Sequence, residues 1–258
     1  WKFNHRMIKL IELKDSTNAK FIGIENDTIS NTISTHGSWE GHLVNLYYNL
    51  IKKNNLVIDI GANIGYHSVH FGKLVGRGGR VFSFEPQKLI YDILSANILT
   101  NGLSNIITQY NFGLSSKIQT MYLSNIKDVT YDNGMVNFGG VKLNNKLTGG
   151  AIINVQALDN IFTGNVDFIK IDIEGMESEV IKGATKTIKN SLPIIFIEIS
   201  KNHDEIYSFF KENEYEIYKI INHGNGNDYI CLHQINHKDI INQMDIIFKT
   251  YNIEYQIL

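Results

Sequence analysis

The 258-residue sequence holds one cysteine, Cys231, and only two prolines. A single cysteine excludes an intrachain disulfide and any metal cluster built on several thiolates. No apolar run approaches the roughly 18 residues of a membrane span, and no segment has the pattern of a secretory signal. Charge of one sign is also lacking. Lys plus Arg (24) against Asp plus Glu (26) leaves −2, so no strong field draws the chain to nucleic acid or an anionic membrane. The expected setting is cytoplasmic, with neither nucleic acid nor membrane as partner. The oligomeric state is left open. Internal repeats and low-complexity linkers are missing as well, which argues for a single domain over 1–258.

What is present suits a soluble globular protein: 43% apolar residues, enough for a sizeable core, and 19% charged. "RMIKLIEL" and "AKFIGI" read as short strands. Leu43, Leu46, Tyr47, Leu50 and Ile51 have helical spacing, predicting a helix over 38–53 with Ser38 as N-cap and Glu40 in its first turn. Residues 1–53 thus read as a β/helical extension. Strands "NLVIDIGA", "RVFSFEP" (80–86), "IITQYNFG" (106–113), "VDFIKIDIEG" (166–175) and "LPIIFIEIS" (192–200) then alternate with helices over 64–75, 87–101, 176–190 and "NHDEIYSFFKEN". Such alternation predicts an α/β, doubly wound, mostly parallel sheet with right-handed crossovers. "YEIYKIIN" and "DYICLHQI", joined only by "HGNGN", predict a hairpin and hence one final antiparallel strand. Residues 116–165 are too long for a simple crossover and read as an insertion on the substrate side. Its Gly- and Asn-rich stretch 128–150 suits a binding loop, with Tyr131 and Phe138 available to pack on a sugar ring.

The chemistry gathers at strand ends. "DIGANIG" (59–65) sets Asp59 before Gly61 and Gly65, where a tight turn meets the N-terminus of a helix able to receive a carboxylate or phosphate. The dinucleotide spacing G-x-G-x-x-G is absent, since its second glycine would fall at Asn63. Glu85 ends the next strand, where an acid accepts hydrogen bonds from ribose hydroxyls. An adenosine ligand with an amino-acid tail, S-adenosyl-L-methionine (SAM), fits this set, its ammonium near Asp59 or Asp172. Asp172 and Glu174, two apart on a strand, share a face and call for something cationic between them.

The blocks "VIDIGANIGYHS", "VFSFEP", "VQALDNI", "VDFIKIDIEGMESEVIKGA" and "PIIFIEIS", in that order, resemble the FkbM family of SAM-dependent methyltransferases. The resemblance covers about residues 38–200. It implies the class I methyltransferase (Rossmann-like) fold, a seven-stranded sheet whose last strand is antiparallel. It also implies O-methylation of a hydroxyl, commonly on a sugar or a polyketide-like natural product. Carried over, it puts Asp59, Gly61, Asn63 and Gly65 at the methionine end of SAM with Tyr66 and His67 beside them. Glu85 holds the ribose, and Gly113, Leu114 and Ser115 lie near the adenine. Glu40 of "SWE" resembles an acid that precedes the first block. Related sequences often carry an acid near 115–116, where this chain has "SSK".

Methyl transfer needs a positioned acceptor hydroxyl and a group to take its proton. Asp172 is expected to face SAM and Glu174 the acceptor, as the catalytic pair. His36, His67 and His223 are rival bases. A divalent cation held by Asp172 with Glu174 or Glu198 is a rival explanation of the acids. Two other readings share the fold: an NAD-dependent oxidoreductase, which should show G-x-G-x-x-G, and a binding module without activity.

Overall fold

The computed structural model describes residues 2–3, 6–7, 9–131, 134–146, 150–221 and 227–258. Two hairpins, β1 (Lys2–Phe3) with β2 (Arg6–Met7) and β3 (Leu10–Lys14) with β4 (Lys20–Ile24), precede helices α1 (Thr28–His36) and α2 (Gly41–Leu50). Strands and helices then alternate: β5 (Leu56–Ile60), α3 (Tyr66–Val75), β6 (Arg80–Phe84), α4 (Lys88–Thr100) and β7 (Ile107–Tyr110). The next four strands are β8 (Gly113–Leu114), β9 (Gln119–Leu123), β10 (Leu143–Asn144) and β11 (Ile152–Gln156). The alternation resumes with β12 (Phe168–Ile171), α5 (Glu177–Gly183), α6 (Thr185–Ser191), β13 (Ile194–Glu198) and α7 (His203–Glu212). Then come β14 (Tyr215–Ile220), β15 (Asp228–His233), α8 (Lys238–Ile241), α9 (Met244–Thr250) and β16 (Tyr255–Ile257).

The central sheet runs β16-β14-β15-β13-β12-β5-β6-β7. Strands β7, β6, β5, β12 and β13 are mutually parallel, and β15 lies antiparallel between β13 and β14. This is the expected doubly wound α/β sheet, with one addition. β16 pairs antiparallel with β14 and makes an eighth, edge strand. Residues 222–226 of the turn between β14 and β15, including His223, lie outside the described residues. Among the described residues no helix is long and apolar enough to cross a membrane.

Local chemistry accounts for the other departures. The sequence reading placed only short strands ahead of the helix over 38–53 and so missed α1, whose Thr-, Ser- and Ile-rich sequence has little intrinsic helical preference. It forms because Asp27 Oδ2 accepts the Ser30 N–H at 2.9 Å as an N-cap and because Ile29 and Ile33 are buried. Ser38 does not cap α2; Glu40 occupies that position in the left-handed region (φ 47°) without a side-chain cap bond. The helix read as 176–190 breaks at Ala184 into α5 and α6. The third strand stops at Tyr110, and β8 leaves the sheet to pair with β11. The resulting second sheet, β10-β9-β11-β8, organises the insertion.

Alternation along the strands divides the core. Ile58, Ile60, Ile169, Ile171, Ile195 and Ile197 face α5–α7, whereas Val57, Phe168 and Phe196 face α2 and α3. There Tyr47, wholly buried, packs edge-on against Phe71, Phe168 and Phe196 at 5.0–5.7 Å between ring centroids. Toward the carboxyl edge this second face turns ionisable. By the same two-residue period Asp59, Lys170, Asp172, Glu198 and Asp228 continue it beyond the aromatic layer.

Candidate active site

The carboxyl ends of β5, β6, β12 and β13 open into a cleft of about 340 Å³. This is near the lower end of the roughly 300–1,000 Å³ of small-molecule sites. One half is built on backbone. After β5 the chain reverses through Gly61 (φ 83°), where a Cβ would stand 1.8 Å from the backbone oxygen of Asp172. Only glycine lets the two strand ends approach so closely. Asn63 follows at φ 51°, its Oδ1 accepting the Ile64 N–H at 2.7 Å. The helix α3 then starts, and the first N–H groups of a helix have no partner within it.

Glu85, 3% exposed, is fixed over this turn. Its Oε2 accepts the Asn63 N–H at 3.0 Å and its Oε1 the Gln87 N–H at 2.8 Å. The Gln87 side chain is a third donor, and a carboxylate offers about four acceptor sites in all, which leaves room for a ligand. Burial pushes its carboxyl up to about 7, against the pull of these two backbone bonds and of the Gln87 side chain. Gly113 and Leu114, also lining the cleft, stand opposite Val155 and Gln156 of β11.

The other half is built on charge. Lys170, 1% exposed, directs Nζ to Asp172 Oδ2 at 2.6 Å and lies directly across the β5–β12 ladder from Asp59. Burial alone would lower this ammonium's pKa; Asp172, Asp59 and Glu40 outweigh it and raise it. Asp172 shows the converse. Burial raises it, but Lys170 and hydrogen bonds from Glu198 and Lys170 hold it below its ordinary value. The remaining acids are pushed up. Glu198 reaches about 9 through burial and Asp172. Asp228 reaches about 7 through burial, Glu40 and Asp172. Glu40 reaches about 7 through burial and Asp172. His67 Nε2 lies 2.9 Å from Glu40 Oε2, and burial followed by Lys170 takes the ring down to about 3, leaving it neutral. Glu174, one-third exposed, is raised by burial and lies 3.9 Å from Lys142 of the insertion.

The structure therefore brings Glu40, Gly61, Asn63, Tyr66, His67, Glu85, Gly113, Leu114, Asp172 and Glu174 around one cleft. Three expected residues do not line it. Asp59 is wholly buried beneath it, taking the Ser68 hydroxyl at 2.5 Å, because its position on β5 points it at α3. Gly65 forms the N-cap of α3 against Leu94. Ser115 is buried, donating its N–H to Gln156 O. Of the rival bases, His36 is exposed at the end of α1. Tyr131 is exposed, and Phe138 is buried in the core rather than in the cleft. Trp39, half-buried, is instead an aromatic of the lining, together with Asn137, Gly139, Val141 and Leu143 of the insertion. Among the described residues no group of three His, Cys, Asp or Glu is placed to hold a metal ion. Lys170 and Asp228 were missed by sequence reasoning. The signal for Lys170 was its place two residues before Asp172 in a strand otherwise apolar; β12 ends at Ile171, so Asp172 and Glu174 lie beyond the strand rather than sharing a face of it.

Comparison with known proteins follows the same residues. The methyltransferase FkbM domain matches residues 59–217. Methyltransferase sdnD of Sordaria araneosa is 26% identical over 161 residues, covering 52% of this chain and 61% of that protein. Hexuronic acid methyltransferase AglP of Haloferax volcanii is 23% identical over 168 residues, 64% of each. The chain thus spans less than two thirds of the length of these relatives. A crystal structure of methyltransferase FkbM from Methylobacillus flagellatus KT shares the fold, with a TM-score of 0.50 at 19% identity over 71% of this chain and 47% of that one. The domain match takes in more than half of the sequence, including the Gly61 turn, Glu85 and the acids that follow β12. The chain belongs to the FkbM methyltransferase family.

Proposed function

We propose that the protein is a SAM-dependent O-methyltransferase acting on a hydroxyl of a sugar or glycan. The observation that carries this reading is Glu85, a buried carboxylate fixed by two backbone N–H groups with room for a ligand, beside a turn that only glycine can make. The residues fit the cofactor. Glu85 would take the ribose hydroxyls, Gly61 and Asn63 would allow the methionine end to approach the backbone, and Gly113 and Leu114 would flank the adenine. SAM, when bound, supplies the electrophilic methyl group. A sugar acceptor is supported by the likeness to AglP, whose name states a hexuronic acid substrate.

The protein's own residues then orient the acceptor and receive its proton. Asp172 is a poor proton acceptor, because Lys170 keeps it ionised at 2.6 Å. Glu174 is better suited: it lines the cleft and burial raises its pKa toward the range in which a base both binds and releases a proton. Glu174→Gln should reduce turnover about 10²–10⁴-fold, the ordinary loss for a general base, with the affinity for S-adenosylhomocysteine (SAH) unchanged. Retained turnover would remove Glu174 from the role. Thermal stabilisation by SAH but not by NAD tests the cofactor, and the reverse would favour an oxidoreductase.

A further inference from the structure

Glu198 and Asp228 face each other across β13 and β15. Ile199 N–H donates to Asn227 O at 2.8 Å, so the 199–227 pair is hydrogen-bonded and the 198–228 pair is the close, non-hydrogen-bonded kind. At such pairs the Cβ atoms stand about 4.5–5.5 Å apart, and like charges are destabilising. Both side chains nonetheless line the cleft. Asp228 is 8% exposed, and among the described residues its carboxyl has no hydrogen-bond partner. Near Asp228 and Glu40 lies the Tyr47 hydroxyl, wholly buried and without a hydrogen-bond partner among the described residues. Lys170, the one cation lining the cleft among the described residues, is committed to Asp172. Glu198 shares a hydrogen bond with Asp172, and Lys170 acts on Asp228 only as a neighbouring charge, so among the described residues no cation is paired with either acid.

We infer that the acceptor carries a cationic amine, as in an amino sugar, and that Asp228 and Glu198 receive it. An ammonium has three donors, enough to bridge two facing carboxyls, and charge-assisted bonds of this kind are the strong ones. Burial and neighbouring acids, Asp172 first for Glu198 and Glu40 first for Asp228, raise both carboxyls, as in a site that lacks its cation. An acceptor bearing a carboxylate would meet like charge here, which sets this cleft apart from what the name of AglP implies for that protein. The pair is also separated from the Gly61 turn. β15 is three strands from β5, about 14 Å at about 4.8 Å per strand, so it lies on the acceptor side of the cofactor site.

The inference rests on the methyltransferase reading, and the test separates the two. SAH-loaded protein would be titrated calorimetrically at pH 7 with D-glucosamine, N-acetyl-D-glucosamine and D-glucuronate. Glucosamine should bind at least about tenfold tighter than its N-acetyl form, with glucuronate weakest. Asp228→Asn should erase that preference and leave SAH affinity within about twofold; Glu198→Gln replaces it should the first variant fail to fold. No binding of glucosamine, equal binding of glucosamine and its N-acetyl form, tightest binding of glucuronate, or a preference that survives substitution would overturn the inference. So would a large loss of SAH affinity in Asp228→Asn, which would assign the acid to the cofactor. Failure of the native protein to bind SAH would instead overturn the methyltransferase reading itself.

Discussion

The two halves of the cleft solve the burial of charge in opposite ways. Around the Gly61 turn the backbone does it: two N–H groups hold Glu85, and a single glycine brings β5 against the backbone of Asp172. Around β12, β13 and β15 side chains do it, and incompletely. Lys170 is set against Asp172 and lies close to Asp59 and Glu40, while Glu198 and Asp228 are left facing each other. A group held by backbone is satisfied before any ligand arrives. The surplus of acids at the other end is the mark of a half completed by what binds there. On this comparison the first half is the rigid cofactor cradle and the second is the side that selects the acceptor.

The sharpest way to break the second half is to remove its cation. Lys170→Met leaves Asp172 facing the cleft without its cation, only the Glu198 hydrogen bond remaining, and should cost about 3 kcal/mol in urea-induced unfolding at pH 7. That is the lower end for a buried pair that loses one member, because Asp172 is itself one-third open to the cleft. Stability within 1 kcal/mol of the native protein, roughly the value of an exposed pair, would mean that water in the cleft already serves Asp172.

A smaller effect should appear with pH. Glu40, Glu85 and Asp228, raised to about 7, and Glu198, raised to about 9, all sit above their unfolded values. A carboxyl raised by folding stabilises fully below its unfolded pKa, and that contribution is lost as pH rises through the folded value. Asp172, lowered, acts in the opposite sense as pH falls through the acid range. His67, taken down to about 3, costs stability only below its unfolded value of 6.5. Ligand-free protein should therefore lose stability between pH 6 and pH 9. Asp228→Asn should flatten that loss and be more stable than the native protein at pH 8 by about 1 kcal/mol, the lower end of the cost of an unsatisfied buried group. A urea midpoint that rises toward pH 9 would contradict the account of the acids.

The backbone-held half was the more legible in the sequence. Gly61, Asn63 and Glu85 announce themselves through turn chemistry and position at strand ends, all within 25 consecutive residues. Asp172 and Glu174 were visible for the same reason. The charged half was only partly so, because it depends on register between distant strands. Nothing near Asp228 in the sequence says that it will stand opposite Glu198, thirty residues away, and a lysine in a strand reads as solvent-facing until the aromatic layer beneath it is known. Asp59 shows the reverse failure. Its place in the motif suggested the ligand, yet its side of β5 sends it to Ser68 under the cleft. The fold divides in the same way: local alternation disclosed the parallel strands and the β14–β15 pair, whereas β16 and the β8–β11 sheet rest on long-range pairing.

The most direct test of this division is a calorimetric titration of SAH into the native protein, Glu85→Gln and Asp228→Asn side by side. The account predicts one-to-one binding, weakened at least about tenfold by Glu85→Gln through loss of a charged acceptor and unchanged by Asp228→Asn. No binding by the native protein, or equal binding by Glu85→Gln, would contradict it.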